Sequence, residues 1–507
     1  MALSRLFTPL DRAAGRIHGA LTDPARRDRA VLLALAAYVA VWTLYGVIAK
    51  GSQGLHPDMT ELVAWSRDFS LGYLKHPPLA AWLAAVWFGV LPVAEWSFYL
   101  LAMLMPAIAL WFAWRLSADY LDADKRVAGL ALLMLIPFFN FHALKYNVNT
   151  VMMPVWAATT FWFLRSYVTR SRVYAALAGI GAAGCMLGKY WSVFLLAGLA
   201  LAALIDARRG DYFRSAAPWI TAATGVLVLG PHLWWLAQHD FAPFAYATAV
   251  HGEKAMMSVV LGALEYLGGA FGFVAIPLLI VLVAARPSLA VAADMIWPAE
   301  RERRLAAAAF WAPLLLPPVV ALATGATINS LWAMPAFTLL PVLLLSSAAV
   351  TFRPAEMRRI VAMAIAVPLV MLVAAPAIAI IGQRGGPQAA AAQAPLLAVE
   401  VGRAWRSLTP QPLRFVGGDT DLAYGVITYV DGRPRALPGM AAPAAAELAQ
   451  AGQAIVCFAE DAGCRAAATA QAARVAGSRT VETTIARRVW GVAGKPRDYA
   501  IVLVPPQ

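Results

Sequence analysis

The stretch AVLLALAAYVAVWTLYGVIA, residues 30–49, runs for twenty residues without a charge. A helix rises 1.5 Å per residue, so this one would reach about 30 Å, the thickness of a bilayer's hydrocarbon core. Arg5, Arg12, Arg16, Arg26, Arg27 and Arg29 precede it. A basic tail (1–29) before such a block reads as the cytoplasmic end of a signal-anchor helix, not as a cleaved leader.

Further apolar blocks follow at 79–94, 97–116, 127–144, 150–167, 173–187, 191–206, 217–237, 259–285, 305–324, 330–349 and 359–381. They explain a composition of 61% hydrophobic and 14% charged residues over 507 positions, with mean hydropathy +0.65. Soluble domains are only about 45–50% apolar and about 25% charged. The chain therefore reads as a multi-pass membrane protein. Its net charge of +13 does not point to nucleic acid, because no basic cluster is interleaved with aromatics as such a surface requires. Lys and Arg instead follow the loops and set orientation.

The block 79–94 begins after Pro77-Pro78 and contains Pro92. If it does not cross, eleven spans remain. Loops 117–126, 168–172, 207–216, 286–304 and 350–358 then fall on the cytoplasmic side. They and their edges carry Lys125, Arg126, Arg170, Arg172, Arg208, Arg209, Arg214, Arg286, Arg301, Arg303, Arg304, Arg353, Arg358 and Arg359. The opposite loops 145–149, 188–190, 238–258 and 325–329 hold only Lys145, Lys189 and Lys254. A crossing at 79–94 would invert this asymmetry at every later loop, so the eleven-span reading is preferred. It organises the chain as the tail 1–29, a membrane domain 30–381 with a first external loop 50–96, and a linker plus external domain 382–507.

In that last part, Gly385-Gly386-Pro387 and an Ala/Gln run form the linker. The short apolar stretches 413–416, 425–430, 454–458 and 499–504 alternate with Ala-rich, helix-favouring stretches 441–451 and 465–476. This is a small α/β domain. Cys457 and Cys464 are spaced to close a small disulfide loop in an oxidising compartment, or to remain two thiols. Cys185, in an apolar block, is a small core residue.

The first external loop carries the densest chemistry. Pro57 starts a helix, Asp58 lies in its first turn, and Glu61 three residues on shares its face. Leu62, Trp65 and Phe69 let that helix lie at the membrane surface. Two carboxylates there serve as general base and metal ligand, or merely as a cap and a solvated face. Tyr73, Lys75 and His76 follow in the same loop. Lys145, Asn149, Lys189, Tyr190, His232, His251, Asn329 and Trp332 fall on the same side in the eleven-span reading. They read as a substrate path or as interfacial anchors. No Walker A sequence or HExxH zinc motif is present, and no inverted pair of broken spans marks a secondary transporter.

Pro57-Asp58-Met59-Thr60-Glu61, Trp65-Ser66-Arg67-Asp68, Gly72-Tyr73 and Lys75-His76-Pro77-Pro78-Leu79 resemble the first-loop block of the bacterial GT-C type membrane glycosyltransferases. That broad group includes the dolichyl-phosphate-mannose–protein mannosyltransferases and the lipid A aminoarabinose transferases. Lys145 to Thr150, Gly188-Lys189-Tyr190 and Asn329…Trp332…Pro335 look like further landmarks, so the resemblance covers roughly 30–350. It departs at Asp58-Met59, where the family usually has adjacent Asp and Glu, and at Lys75, where many members carry an acid. It implies a GT-C-like bundle of about eleven membrane helices with surface helices in the first loop. It also implies an inverting transferase in the bacterial inner membrane, with the site facing the periplasm.

The donor would be a polyprenyl-phosphate sugar and the acceptor a lipid, glycan or protein. Asp58, with Glu61, would be catalytic. Tyr73, Lys75, His76, Lys145, Asn149, Lys189 and Tyr190 would bind substrate, the cations stabilising charge on the departing phosphate. A divalent metal is an open candidate cofactor, less safely carried over than the base. Membrane lipids are the surrounding partners and nucleic acid is not a partner. The competing classes are a flippase or transporter for a lipid-linked substrate, and a non-catalytic relative. The nearly charge-free span interiors argue against the first, and retention of Asp58 against the second.

Overall fold

The computed structural model describes residues 2–252, 255–385, 393–437 and 444–507, with side chains from position 9 onward. Glu253, Lys254 and most of the expected linker, from Gly386 onward, lie outside the described residues. The chain is mainly helical and divides into two compact units. One comprises 1–42, 75–80 and 100–371; the other comprises 43–74, 81–99 and 372–507.

Among the described residues, six helices are long and apolar enough to cross a bilayer: Arg27–Ala49, Glu95–Ser117, Ala217–Gln238, Met256–Phe273, Arg301–Thr324 and Pro354–Arg384. Leu79–Val90 has twelve residues. That spans about 18 Å, too short for a lone crossing.

Three apolar blocks break in their interior, each with a proline beside the break. Block 127–144 becomes helix Ala123–Met134, then a 3-10 turn Pro137–Phe139. There the Asn140 amide donates to the Met134 carbonyl at 3.0 Å. Block 259–285 divides at Val274 into Met256–Phe273 and Ala275–Ala285. Pro277 has no N–H to give, and its ring crowds the carbonyl four residues back, that of Phe273. Block 330–349 is a 3-10 segment Ser330–Leu339 followed by a short helix Leu340–Leu345, with Pro335 and Pro341 inside. The loops 238–258 and 286–304 contain helices of their own, Ala242–His251 and Leu289–Ile296.

In the first unit the membrane helices approach through small residues. Helices in lipid gain nothing by hiding apolar surface from apolar solvent, so they associate by close packing and hydrogen bonds. Helix Arg172–Gly188 meets Ala217–Gln238 at Gly179, where an added Cβ would lie 1.9 Å from Thr224 Oγ1 and 2.3 Å from the Thr221 carbonyl oxygen. Thr221 donates from the same contact to the Ala175 carbonyl at 3.0 Å. Helix Val193–Ile205 meets Arg301–Thr324 at Gly198, where a Cβ would lie 2.6 Å from the Pro313 ring.

The second unit contains the α/β domain. Its strands are β1 (Phe415–Gly418), β2 (Arg435–Ala436), β3 (Gln453–Phe458), β4 (Arg479–Ile485), β5 (Arg488–Val489), β6 (Val492–Ala493) and β7 (Arg497–Val504). The main sheet runs β2-β1-β3-β7-β4, with β5 and β6 as a separate ribbon. β1 is parallel to β2 and β3; β7 is antiparallel to β3 and β4. Leu397, Val401 and Trp405 of helix Ala394–Leu408 pack with Val416, Val456 and Ile501 of the sheet in one buried core. Residues 425–429 of the apolar stretch 425–430 lie in helix Thr420–Tyr429, not in a strand, and Val430 is its C-cap. Asp419 starts that helix by accepting the Leu422 N–H at 3.0 Å. Cys457 and Cys464 form a disulfide with Cα atoms 5.8 Å apart. Cys185 is buried and free, as its apolar setting suggests.

Candidate functional site

The first-loop helix forms over Pro57–Arg67. Pro57 opens it because its fixed φ suits the first turn and its missing N–H would go unused there. His56 caps it: Nδ1 accepts the Asp58 N–H at 3.2 Å. The same nitrogen lies 3.3 Å from Asp58 Oδ1. Asp58 keeps 40% of its side chain accessible. Glu61 is half-buried, one turn along the same helix. Met59 is the inward position, 1% exposed, beside buried Thr60, Leu62 and Val63. A second carboxylate at position 59 would enter an apolar interior, so the helix presents its acids at 58 and 61 instead.

The C-terminal domain holds this helix. Arg67 donates from Nη1 to the Pro434 carbonyl and from Nη2 to the Ile427 carbonyl, each at 2.9 Å. Burial, and then the nearby charge of Arg433, lower its pKa to about 10, which leaves it charged at neutral pH. Asp68 pairs with Arg435 at 3.3 Å. Tyr424 of helix Thr420–Tyr429 has its hydroxyl pushed up by burial and then by the charge of Glu61, with a hydrogen bond from Trp65 acting the other way. Tyr73 is buried and stacks on Trp65 at 4.8 Å. Its hydroxyl lies 2.7 Å from the Asp68 carbonyl and 2.9 Å from that of Trp65. Burial first raises its pKa, to about 12. Tyr73 thus braces the loop.

The remaining candidates lie in the other unit. Pro77 and Pro78 are buried, and Lys75 and His76 before them are partly exposed. The Tyr146 hydroxyl donates to the Ala80 carbonyl at 3.0 Å. A Cβ on Gly188 would stand 3.8 Å from Leu79 and 4.0 Å from Val151. Segments 75–80, 145–151 and 188–190 are therefore neighbours, and Lys75, His76, Lys145, Asn149 and Lys189 come from one region. Lys189 Nζ donates to Asn149 Oδ1 at 2.8 Å and lies 4.4 Å from the Trp332 ring centroid, a cation–π distance. Asn147 caps helix Val148–Thr169 through the N–H groups of Asn149 and Thr150. The Thr150 hydroxyl donates to the Lys145 carbonyl at 2.7 Å. Tyr190 Oη is 3.0 Å from His232 Nε2, and its ring stacks on Phe244 at 4.7 Å. His251 meets Trp332 edge-on at 5.1 Å.

Asp58, Glu61 and Tyr73 thus belong to one unit, and the six other expected site residues to the other. Among the described residues no group of three or more His, Cys, Asp or Glu gathers as a metal cage. Sequence reasoning missed Arg67, Tyr424, Arg435 and the cap from His56. The first three reach partners more than 350 positions away in the chain, and no local pattern marks such a contact. His56, directly before Pro57, did stand at the N-cap position.

The profile of the dolichyl-phosphate-mannose–protein mannosyltransferase family matches residues 75–235. The match starts at Lys75, so Asp58 and Glu61 precede it. The lipopolysaccharide core galacturonosyltransferase RgtB of Rhizobium johnstonii is 27% identical over 333 residues, 64% of this chain and 66% of the relative. This chain thus aligns with slightly less than two thirds of that relative. The fold matches ArnT from Cupriavidus metallidurans bound to undecaprenyl phosphate, with TM-score 0.61 at 13% identity, covering 94% of this chain and 99% of ArnT. The apo state of the same ArnT gives TM-score 0.60 at 11% identity, with the same coverage. The fold match gives this chain the GT-C architecture, and the profile and RgtB matches are likenesses to membrane glycosyltransferases.

Proposed function

We propose that this protein is an inverting glycosyltransferase that moves a sugar from a polyprenyl-phosphate donor to a lipid or glycan acceptor at the periplasmic face of the inner membrane. The observation that carries this is the presentation of Asp58. A capped helix start holds the carboxylate in a loop fastened by Arg67, and leaves it partly open to solvent. The ArnT relative bound to undecaprenyl phosphate and the lipopolysaccharide-directed RgtB support the choice of donor and acceptor class.

In this reading Asp58 takes the proton from the acceptor hydroxyl as its oxygen attacks the anomeric carbon. The bond from that carbon to the phosphate oxygen breaks in the same displacement, so configuration inverts. Lys75, His76, Lys145 and Lys189 hold the phosphate, on which negative charge grows as the sugar leaves. Asn149 and Trp332 position Lys189. Glu61 orients the loop beside Tyr424. The Lys/Arg asymmetry of the loops supports the periplasmic orientation, and the Cys457–Cys464 disulfide suits that oxidising side.

The test is transfer from a polyprenyl-phosphate sugar in nanodiscs by Asp58→Asn, with thermal stability followed in parallel. Asn keeps the shape and leaves the His56 cap in place, but it cannot accept the proton. The expected loss is about 10²–10⁴-fold in rate at unchanged stability. Full activity would reject Asp58 as the base, and loss that only tracks stability would leave it a first-turn acid favoured by the helix dipole. For orientation, alkaline phosphatase fused after Gln507 should be active, as a periplasmic end requires.

A further inference from the structure

Helix Val193–Ile205 begins beside Lys189, and its far end is about 20 Å away along the axis. That far end runs into the Arg-rich loop 207–216, which the Lys/Arg asymmetry assigns to the cytoplasmic side. There it forms, with the start of helix Arg301–Thr324, a cavity of about 520 Å³ lined by Ile205, Asp206, Trp297, Arg301, Arg304 and Leu305 among others. Ile205 and Trp297 are about half exposed, at 51% and 48%, as suits a rim that meets lipid and headgroups.

The charges in this cavity are unevenly satisfied. Asp206 is 5% exposed and belongs to Arg208, whose Nε lies 3.0 Å away and whose backbone N–H donates at 2.8 Å. The Tyr167 hydroxyl adds a contact at 3.2 Å. Arg208 reaches Glu302 with its other arm. Arg301 is left with a 3.7 Å approach to the already occupied Asp206 and stays 46% accessible. Arg304 is exposed and has no carboxylate partner among the described residues. Two guanidinium groups one turn apart therefore face an amphipathic groove in which Asp206, the lining acid among the described residues, is already neutralised. Guanidinium forks match phosphate oxygens in pairs, and basic pockets between membrane helices suit anionic headgroups.

We propose that this groove binds the phosphate headgroup of an anionic phospholipid, with an acyl chain running along Ile205. It is separate from the transfer site and does not depend on it. Native mass spectrometry of the detergent-purified full chain with an equal mixture of dioleoyl phosphatidylglycerol and phosphatidylcholine tests this. The wild type should retain phosphatidylglycerol preferentially. Arg304→Gln, which breaks no ion pair, should reduce that retention about fivefold, the worth of roughly 1 kcal/mol per basic residue. Arg301→Gln/Arg304→Gln should reduce it further. Arg172→Gln/Arg359→Gln, exposed arginines of the same face outside the groove, should leave it unchanged. Equal retention of the two lipids, an equal loss in that control, retention unaltered by Arg304→Gln, or, in a second titration with undecaprenyl phosphate added at equal concentration, displacement of phosphatidylglycerol by it would each overturn the proposal.

Discussion

Arg67, the last residue of the first-loop helix, donates to the carbonyl oxygen of Ile427, 360 positions later in the chain, at 2.9 Å. Its second arm takes the Pro434 carbonyl at the same distance. The proposed base, Asp58, thus rides on a helix whose far end is fixed to the C-terminal domain. Through this attachment the domain sets the pose of the loop helix.

Arg67→Met should remove both charge-assisted bonds and leave two buried carbonyls without their donor. Each such bond is worth about 1.5–3 kcal/mol. We expect lowered thermal stability and a fall in turnover larger than any change in donor affinity. Arg67→Lys should recover only part, because an ammonium cannot span both carbonyls with a planar fork. Unchanged turnover in Arg67→Met would remove the positioning role.

Lys189→Met keeps the apolar stem and deletes the charge. If Lys189 holds donor phosphate, KM for the donor should rise about tenfold or more, with little change in melting temperature. Asn149→Ala, which frees the ammonium from its 2.8 Å partner, should produce a smaller shift in the same direction. A kinetic titration of donor in nanodiscs measures both.

Met59→Glu restores the adjacent acid pair typical of the family this chain resembles. Met59 is 1% exposed, and burying an unpaired carboxylate costs several kcal/mol. The expected outcome is a destabilised protein with no gain in activity on adding divalent metal. A metal-stimulated, stable variant would show that the loop helix can turn this face outward.

Cys457 and Cys464 close a loop of separation seven. Loop-closure entropy for so short a ring is worth about 2–3 kcal/mol. Cys457→Ala/Cys464→Ala should lose about that much in denaturant unfolding. Thiol alkylation followed by mass measurement should label one cysteine in the unfolded, unreduced wild type and three after reduction.

Gly179→Leu should fail to assemble. Even a Cβ there would stand 2.3 Å from the Thr221 carbonyl oxygen, a backbone atom with no freedom to yield. Overpacking costs about 1–3 kcal/mol or more, and the readout is the fraction of protein that remains monodisperse in detergent.

The linear chain determined the membrane character, the starts of the apolar helices and the loop helix at Pro57. These follow from short-range physics: a bilayer demands about twenty apolar residues in a row, and proline and a capping side chain set where a helix begins. The same locality explains the breaks at Val274 and near Pro137, whose prolines are visible within blocks that hydropathy alone leaves continuous. Stretch 425–430 is apolar in sequence, but a run that short fits a strand or a helix equally well. Only its packing in the domain core made it helical.

Tertiary structure alone decided that Met59 turns inward, that Tyr73 spends its hydroxyl on the loop's own carbonyls, and that Arg67 and Asp68 reach Ile427, Pro434 and Arg435. It alone brought segments 75–80, 145–151 and 188–190 together. It left Arg304 without a carboxylate among the described residues while Arg208 took Asp206. Such outcomes depend on which distant groups meet in space. A hydrogen bond across 360 residues leaves no periodicity, spacing or composition by which the sequence could announce it.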